Sequence, residues 1–235
     1  MDDKQTSVYG FLKNPSMVDF EGHLAGVFFT SGCNFRCGFC QNAQLLGRKQ
    51  QGITWQRLHE ACGEFREKWA TAVVITGGEP TIAPDIPEII DFFQKQGFSV
   101  KLDTNGSQPK TLEHVLPLVD YVAQDIKCSP SKYPEFVGFN EPERVKDSIE
   151  LLKTSGTPYE FRTTLVESYH TDDELCRIGE TVRGAQLYFV QPFLPREDLP
   201  DPGLREEPRT SPARLREAAD LMSNYVQDVR IHGKL

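Results

Sequence analysis

Short apolar segments rich in β-branched residues alternate along the chain with longer segments in which apolar residues recur every three or four positions. The first kind predicts strands and the second predicts helices. The predicted strands are Leu24–Thr30, Ala72–Thr76, Phe98–Thr104, Val119–Lys127, Tyr159–Val166 and Ala185–Gln191. The predicted helices cover about Thr54–Ala70, Asp85–Gln96, Lys110–Pro117, Glu141–Ser155 and Asp172–Val182. Because parallel neighbours need a crossover connection, this alternation predicts an α/β fold with a parallel sheet.

Residues at the ends of the predicted helices support these boundaries. Thr54 and Asp85 are suitable N-caps, because a short polar side chain can accept a hydrogen bond from an unpaired N–H of the first turn. Gly97 and Gly156 stand where a glycine often ends a helix.

Three consecutive predicted strands carry polar residues on one face, since residues two apart in a strand share a face. A sheet covered on both faces should read as nearly continuous apolar residues. The pattern therefore predicts a curved, incomplete (β/α)6 barrel with a polar interior rather than an open doubly wound sheet. Edge strands with solvated faces are the alternative. The face residues are Lys101, Asp103 and Asn105, then Tyr121, Ala123, Asp125 and Lys127, then Glu160, Arg162 and Thr164.

Length and composition predict one domain over residues 1–235, with 38% hydrophobic and 26% charged residues. Its core is expected at about 20–195. The extension at about 196–235 follows a proline-rich connection and predicts a short helix at Ala213–Gln227 and a strand at Val229–His232.

Charge and hydropathy exclude several classes of partner. The net charge of −8 disfavours a nucleic-acid backbone as a partner. Apolar runs such as Leu24–Phe29 are far shorter than the roughly 20 residues that span a bilayer, so no membrane is expected. The amino-terminal residues show no signal-peptide pattern, and a cytoplasmic location is expected.

Three of the six cysteines, Cys33, Cys37 and Cys40, follow the first predicted strand with the spacing CxxxCxxC. A structural zinc site needs four protein ligands, and no second CxxC or nearby histidine completes this one. A 4Fe–4S cluster held by three cysteines leaves one iron open to a further ligand. The other cysteines are isolated and are predicted to be small buried apolar side chains, namely Cys62, Cys128 and Cys176.

The cysteine loop CNFRCGFC and the motif TGGEP after the second strand resemble the radical S-adenosylmethionine (SAM) superfamily. The segments LDTNG, AQDIK, YEFRTTLV and FVQPFLP resemble its branch of glycyl-radical enzyme activating enzymes. The segment GFLKNPSMVDFEGHLAG at residues 10–26 is similar to the anaerobic ribonucleoside-triphosphate reductase activating proteins in their longer form. The resemblance implies the partial barrel of the radical SAM type.

By this resemblance, Cys33, Cys37 and Cys40 hold a 4Fe–4S cluster, and SAM chelates the open iron through its amino and carboxylate groups. Glycines give a backbone that can pass close to a ligand, and a carboxylate can accept a hydrogen bond from the methionine ammonium. An aromatic residue between two cluster ligands could pack on the adenine or shield the cluster. The glycines are Gly77 and Gly78, the carboxylate is that of Glu79, and the aromatic residue is Phe39.

Further residues at the strand ends are implied as SAM contacts, namely Asp103, Asn105, Asp125, Lys127, Arg162 and Gln191. Lys127 can donate a hydrogen bond to the methionine carboxylate. Asp103 and Asp125 could also hold a monovalent cation. Arg162 either pairs with the carboxylate of SAM or offsets the interior acids, and Gln191 could reach the ribose or adenine. His170 is expected to be a loop residue rather than a catalytic base.

One position departs from the family pattern. Activating enzymes usually carry histidine directly after the third cysteine, whereas this chain has Gln41. Glutamine keeps hydrogen-bonding capacity but does not take a proton at neutral pH. A shifted cluster potential with activity retained is therefore expected.

The resemblance implies an enzyme that cleaves SAM reductively to methionine and a 5′-deoxyadenosyl radical. That radical would abstract hydrogen from a glycine Cα of a glycyl radical enzyme, most simply anaerobic ribonucleotide reductase. An electron donor such as flavodoxin or ferredoxin would be needed, under anaerobic conditions. The alternatives are a radical SAM enzyme acting on a small molecule, similar to 7-carboxy-7-deazaguanine synthase, and an iron–sulfur electron-transfer module without catalysis.

Overall fold

The computed structural model describes residues 4–47 and 51–232. These residues form two compact units. The first comprises residues 4–34, 44–47, 51–104 and 110–122, and the second comprises residues 35–43, 105–109 and 123–232. One domain over residues 1–235 stays a prediction, of which residues 1–3, 48–50 and 233–235 lie outside the described part.

The first unit is built on strands that alternate with helices. Strand β1 runs antiparallel to β2, whereas β2 pairs in parallel with β3, and β3 with β4. The parallel register runs from Ala25 opposite Ala72 to Thr30 opposite Gly77. In chain order the elements are β1 (Val8–Phe11), β2 (Ala25–Thr30), α1 (Trp55–Glu67), β3 (Ala72–Gly77), α2 (Ile86–Lys95), β4 (Ser99–Thr104), α3 (Pro109–Val115) and β5 (Tyr121–Asp125). Strand β5 ends in the second unit.

The second unit continues the alternation with parallel strands. Strand β6 pairs with β7, and β7 pairs with β8, in both cases in parallel. Its elements are α4 (Tyr133–Val137), α5 (Pro142–Ser155), β6 (Tyr159–Leu165), α6 (Asp172–Thr181), β7 (Leu187–Pro192), α7 (Pro202–Arg205), α8 (Pro212–Met222) and β8 (Asp228–Ile231). All six predicted strands, the five predicted helices and the terminal helix and strand are present, with ends shifted by up to a few residues. Strand β1 and the short helices α4 and α7 were not predicted.

The two faces of the first unit's sheet pack differently. Phe28 on one face contacts Phe65 of α1 and Phe93 of α2, with ring centroids 5.4 Å and 4.6 Å away. The opposite face is apolar near the start of the strands, where a buried cluster consists of Phe20, Ala25, Val27, Ala72 and Val74. Lys101 is opposite Val74 in the register, so the polar residues of β4 share this second face.

The predicted helix caps have mixed outcomes. The Thr54 side chain accepts a hydrogen bond from the Arg57 N–H over 3.1 Å, as predicted. Asp85 occupies the N-cap position of α2 without capping it, because its carboxylate accepts hydrogen bonds from the N–H and the hydroxyl of Ser7 instead. Gly97 and Gly156 adopt left-handed conformations at helix ends, as predicted.

In the part of the chain that the structure describes, every helix is too short or too polar to cross a membrane.

Candidate functional site

In the first unit, the loop after β3 holds a buried carboxylate in a fixed orientation. Glu79 is 1% exposed. Its Oε1 accepts hydrogen bonds from the Thr81 N–H over 3.0 Å, from the Thr81 hydroxyl and from the Thr104 hydroxyl over 2.7 Å. Thr104 ends β4, so the Glu79 carboxylate ties the loop after β3 to the strand that carries Asp103.

Gly77 and Gly78 let this loop lie directly on the end of β2. A Cβ on Gly77 would stand 2.4 Å from the Thr30 oxygen, and one on Gly78 would stand 2.0 Å from the Gly32 oxygen. The N–H of Gly78 donates to Thr30 O, and the N–H of Glu79 donates to Gly32 O, both over 2.9 Å. The space where each Cβ would stand is therefore filled by protein backbone. The close approach of a ligand to this backbone stays a prediction.

Asp103 lies on the interior face of β4 beside a lysine that was not included among the predicted site residues. Lys101 Nζ is 3.9 Å from Asp103 Oδ1, and both side chains are nearly buried. The Lys101 ammonium donates to the Asp19 carbonyl over 2.8 Å and lies 5.5 Å from the Tyr121 ring centroid. Burial of Lys101 and Asp103 excludes a solvated face for this strand.

In the second unit, the cysteine loop carries Cys37 and Cys40 in a turn, with the Cys40 N–H donating to Cys37 O over 3.2 Å. Burial raises the pKa of the Cys40 thiol, although the Asn42 N–H donates to its sulfur and acts in the opposite direction. Between the two cysteines, Phe39 is 5% exposed and packs on Phe136 at a centroid distance of 5.4 Å.

Asp125 at the end of β5 lies between two cationic side chains. Its Oδ1 accepts a hydrogen bond from Arg162 Nε over 2.7 Å, and its Oδ2 is 3.0 Å from Lys127 Nζ. Arg162 Nη1 is also 3.8 Å from Glu160 Oε1. The Lys127 ammonium lies 5.7 Å from the Phe39 ring centroid, which brings it to the cysteine loop. The structure thus brings together four residues of the implied SAM site, namely Phe39, Asp125, Lys127 and Arg162.

Both members of the Asp125 and Lys127 pair are charged. Burial alone would raise the pKa of the Asp125 carboxyl, but the charges and hydrogen bonds of Arg162 and Lys127 outweigh burial and hold this pKa well below its usual range. Burial alone would lower the pKa of the Lys127 ammonium, but the Asp125 carboxylate outweighs it and the pKa is raised. A fixed pair of opposite charges suits a zwitterionic ligand.

Asn105 and Gln191 have different surroundings. The buried Asn105 side chain accepts a hydrogen bond from the Ser107 N–H over 2.9 Å, which shapes its own loop. Gln191 lines a cavity of about 420 Å³ in the second unit. The lining of this cavity contains Gln41, which replaces the usual histidine of the cysteine loop, and also Arg209 and His232, which were not among the predicted site residues. It consists of Gln41, Thr164, Gln191, Pro192, Leu194, Arg209 and His232.

His170 lies in the loop between β6 and α6, as predicted, and is fully buried there. Its Nδ1 accepts a hydrogen bond from the Val166 N–H over 3.0 Å, and its Nε2–H donates to the Lys127 carbonyl over 3.0 Å. Because a carbonyl only accepts, a hydrogen bond to Lys127 O requires a proton on Nε2, and Nδ1 also lies 3.1 Å from Val166 O. Burial lowers the pKa of His170, so the ring is neutral.

The remaining cysteines largely behave as predicted. Cys62 is fully buried in α1, and burial raises its pKa to about 12. Cys128 is also buried, whereas Cys176 is half-buried. All six cysteines are free thiols.

The donor chemistry of the cysteine loop fits a cluster with one open iron, because it offers free thiols and a backbone N–H directed at a sulfur. Cys33 belongs to the first unit, and Cys37 and Cys40 belong to the second. Within residues 4–47 and 51–232, the structure gathers no three His, Cys, Asp or Glu side chains in a metal-binding arrangement. The assignment of the three ligands stays a prediction.

A match to a family model shows the superfamily to which the chain belongs. Residues 27–182 match the model of the radical SAM superfamily. The chain belongs to the radical SAM superfamily. This radical SAM protein is therefore an enzyme of a family that uses a 4Fe–4S cluster and SAM, and the module without catalysis is excluded.

Two relatives are similar to this radical SAM protein over most of its length. It is 34% identical over 224 residues to a provisionally named glycyl-radical enzyme activating enzyme of Methanocaldococcus jannaschii, with 92% of each chain covered. It is 29% identical over 212 residues to 7-carboxy-7-deazaguanine synthase of Methanopyrus kandleri, covering 81% of this chain and 82% of that one. The first relative confirms the resemblance to the activating branch.

A solved structure confirms the fold. Streptococcus suis SuiB bound to S-adenosylmethionine has a TM-score of 0.66 to this chain at 15% identity. The likeness covers 88% of this chain and 49% of SuiB, so the chain spans about half of that protein. The predicted α/β fold of the radical SAM type is therefore correct.

A monovalent cation gains no support from the surroundings of the two acids. Asp103 has Lys101 beside it in the first unit, and Asp125 has Lys127 and Arg162 in the second. The cation stays a prediction.

Replacing Gly78 by alanine should disrupt the loop after β3, because the new Cβ would overlap the Gly32 carbonyl. We expect the free energy of unfolding to fall by more than about 3 kcal/mol, or folding to fail. Gly63→Ala is the matched control, since a Cβ there meets no atom within 4 Å and should stabilise α1 by about 0.5–1 kcal/mol. Denaturant titrations measure both changes, and equal stability of the two variants would contradict the packing described.

The neutral His170 should make stability depend on pH. Its folded pKa lies below the unfolded value of about 6.5 because burial outweighs the backbone hydrogen bonds at Lys127 and Val166 and the charge of Glu174, while the charge of Lys132 acts together with burial. The stabilisation is therefore present above about pH 6.5 and is lost as pH falls through the folded pKa. We expect the free energy of unfolding to fall more steeply between pH 7 and pH 5 in the wild type than in His170→Gln. Parallel pH profiles would show that His170 does not titrate as described.

Proposed function

We propose that this protein cleaves SAM reductively and generates a glycyl radical on a partner enzyme. The observation that carries the proposal is its 34% identity, over 92% of both chains, to a protein provisionally named as a glycyl-radical enzyme activating enzyme. The charged strand end beside the cysteine loop supports the SAM site.

The chain's own residues would bind and orient SAM. When bound, the cluster and SAM together supply the one-electron cleavage of the sulfonium, and Cys33, Cys37 and Cys40 would hold the cluster. Lys127 would donate to the methionine carboxylate, since its ammonium has donors beyond the one directed at Asp125. Arg162 would keep Asp125 ionised and in place.

Other predicted contacts have surroundings that suit their roles. Glu79 would accept from the methionine ammonium, because three hydrogen bonds to Oε1 already fix its carboxylate. We assign the close backbone approach to Gly77 and Gly78, and further polar contacts to Asp103 and Asn105. Phe39 would exclude water beside the cluster, and Gln191 would reach the ribose or adenine from its cavity.

Anaerobic ribonucleotide reductase is the partner that we propose. The similarity of residues 10–26 to the activating proteins of that enzyme supports this choice, and these residues form the end of β1, its connection to β2 and the start of β2. A flavodoxin or ferredoxin would supply the electron, in the cytoplasm.

A small-molecule substrate is the second candidate. The relationship to a 7-carboxy-7-deazaguanine synthase over 81% of this chain favours it. The cavity of about 420 Å³ beside Gln191 could take a pterin as readily as a peptide segment.

The test is an electron paramagnetic resonance spectrum of the anaerobically reconstituted protein, reduced and mixed with SAM and the ribonucleotide reductase of the same cell. We expect a glycyl radical doublet that disappears with Cys40→Ala, because the cluster loses a ligand. Cys176→Ala, which removes a cysteine of α6 outside the loop, should leave the doublet unchanged.

Absence of a doublet while 5′-deoxyadenosine accumulates would overturn the proposed partner. Turnover of a pterin without any protein partner would then establish the second candidate.

A further inference from the structure

We infer that His170 is a positioning residue for the SAM site, acting through Lys127 and Phe39. This inference rests on the proposed function, in which Lys127 contacts SAM. It arises from a closed ring of contacts in the second unit that contains a buried histidine without a role in the chemistry.

The first half of the ring runs through the backbone of Lys127. His170 Nε2–H donates to the Lys127 carbonyl over 3.0 Å, and the Lys127 N–H donates to the Tyr133 hydroxyl over 3.4 Å. With both backbone groups bound, the main chain at Lys127 is fixed. Its side chain then extends to Asp125 Oδ2 at 3.0 Å and to the Phe39 ring at 5.7 Å.

The second half of the ring runs through aromatic side chains. The His170 ring packs edge-on against Phe136 with centroids 5.6 Å apart, and Phe136 packs on Phe39 at 5.4 Å. Phe39 lies between Cys37 and Cys40 in the sequence. His170 therefore supports both the lysine and the aromatic residue that the lysine faces.

Glu174, one turn further along, anchors the segment that follows Lys127. It is 1% exposed, and its Oε1 accepts from the Ser129 N–H over 2.6 Å. Its Oε2 accepts from the Ser129 hydroxyl over 3.0 Å and lies 3.3 Å from Lys132 Nζ. The loop before α6 and the first turn of α6 thus hold residues 127–132 at two points, through His170 and Glu174 respectively.

Neutrality suits His170 to this role. Nε2 contacts the Lys127 carbonyl and Nδ1 contacts the backbone N–H and carbonyl of Val166, so proton transfer at either nitrogen would disturb a contact that holds the ring. Residues that orient metal ligands from behind typically cost 10–100-fold in metal affinity or activity when they are removed, and we expect a comparable effect on SAM, which ligates the cluster in the proposed function.

The experiment measures the SAM dissociation constant of the reconstituted protein from the change that SAM causes in the spectrum of the reduced cluster. We expect His170→Leu to raise this constant about tenfold or more at unchanged iron content. His170→Gln, whose amide can donate to the Lys127 carbonyl, should recover most of the affinity. Glu180→Gln is the matched control on α6, because Glu180 is exposed and pairs with Arg183 three residues along the same helix.

Two further variants keep the outcomes distinct. If His170→Leu does not fold, Glu174→Gln should raise the same constant, because it weakens the second anchor. Unchanged SAM affinity in a folded His170→Leu, or in Glu174→Gln where His170→Leu does not fold, overturns the inference. Lys127→Met separates a failure of the proposed SAM site from a failure of the positioning role. Unchanged SAM affinity in Lys127→Met contradicts the proposed SAM site itself. Weaker affinity in Lys127→Met together with unchanged affinity in His170→Leu contradicts only the positioning role.

Discussion

The second unit depends on one largely buried interaction, the contact of Asp125 with both Arg162 and Lys127. A carboxylate removed from water is costly unless its charge is compensated, and here two cations from neighbouring positions on β6 and after β5 compensate it. The pair at Lys127 also brings an ammonium to Phe39 in the cysteine loop. The same charges that stabilise the strand end therefore create the polarity that a zwitterionic ligand needs.

The first unit meets a similar requirement by different means. Lys101 offsets Asp103 within the sheet interior, and the Oε1 atom of Glu79 is held by hydroxyl and N–H donors. Below these residues the same face is apolar, from Phe20 to Val74. Asp103 and Glu79 thus lie toward the carboxyl ends of the strands, where parallel α/β folds form their sites.

Much of this arrangement followed from local sequence pattern. Alternation placed Lys101 and Asp103 on one face of β4, and the helix periods located α1 and α5 to within a few residues, because these signals depend on near neighbours. Long-range contacts could not be obtained in this way. The diversion of Asp85 to Ser7 joins residues 78 positions apart, and the burial of His170 depends on the Lys127 carbonyl of another strand end. The backbone packing at Gly78 likewise has no local sequence signal.

The central claim is that the Asp125 network forms the SAM site, and the dissociation constant of SAM for Asp125→Asn tests it most directly. The variant keeps the shape of the side chain but removes the charge that holds Lys127 and Arg162. At unchanged cluster content, we predict SAM binding weakened by about tenfold or more. Binding as tight as in the wild type would show that the network is only structural and that SAM binds elsewhere.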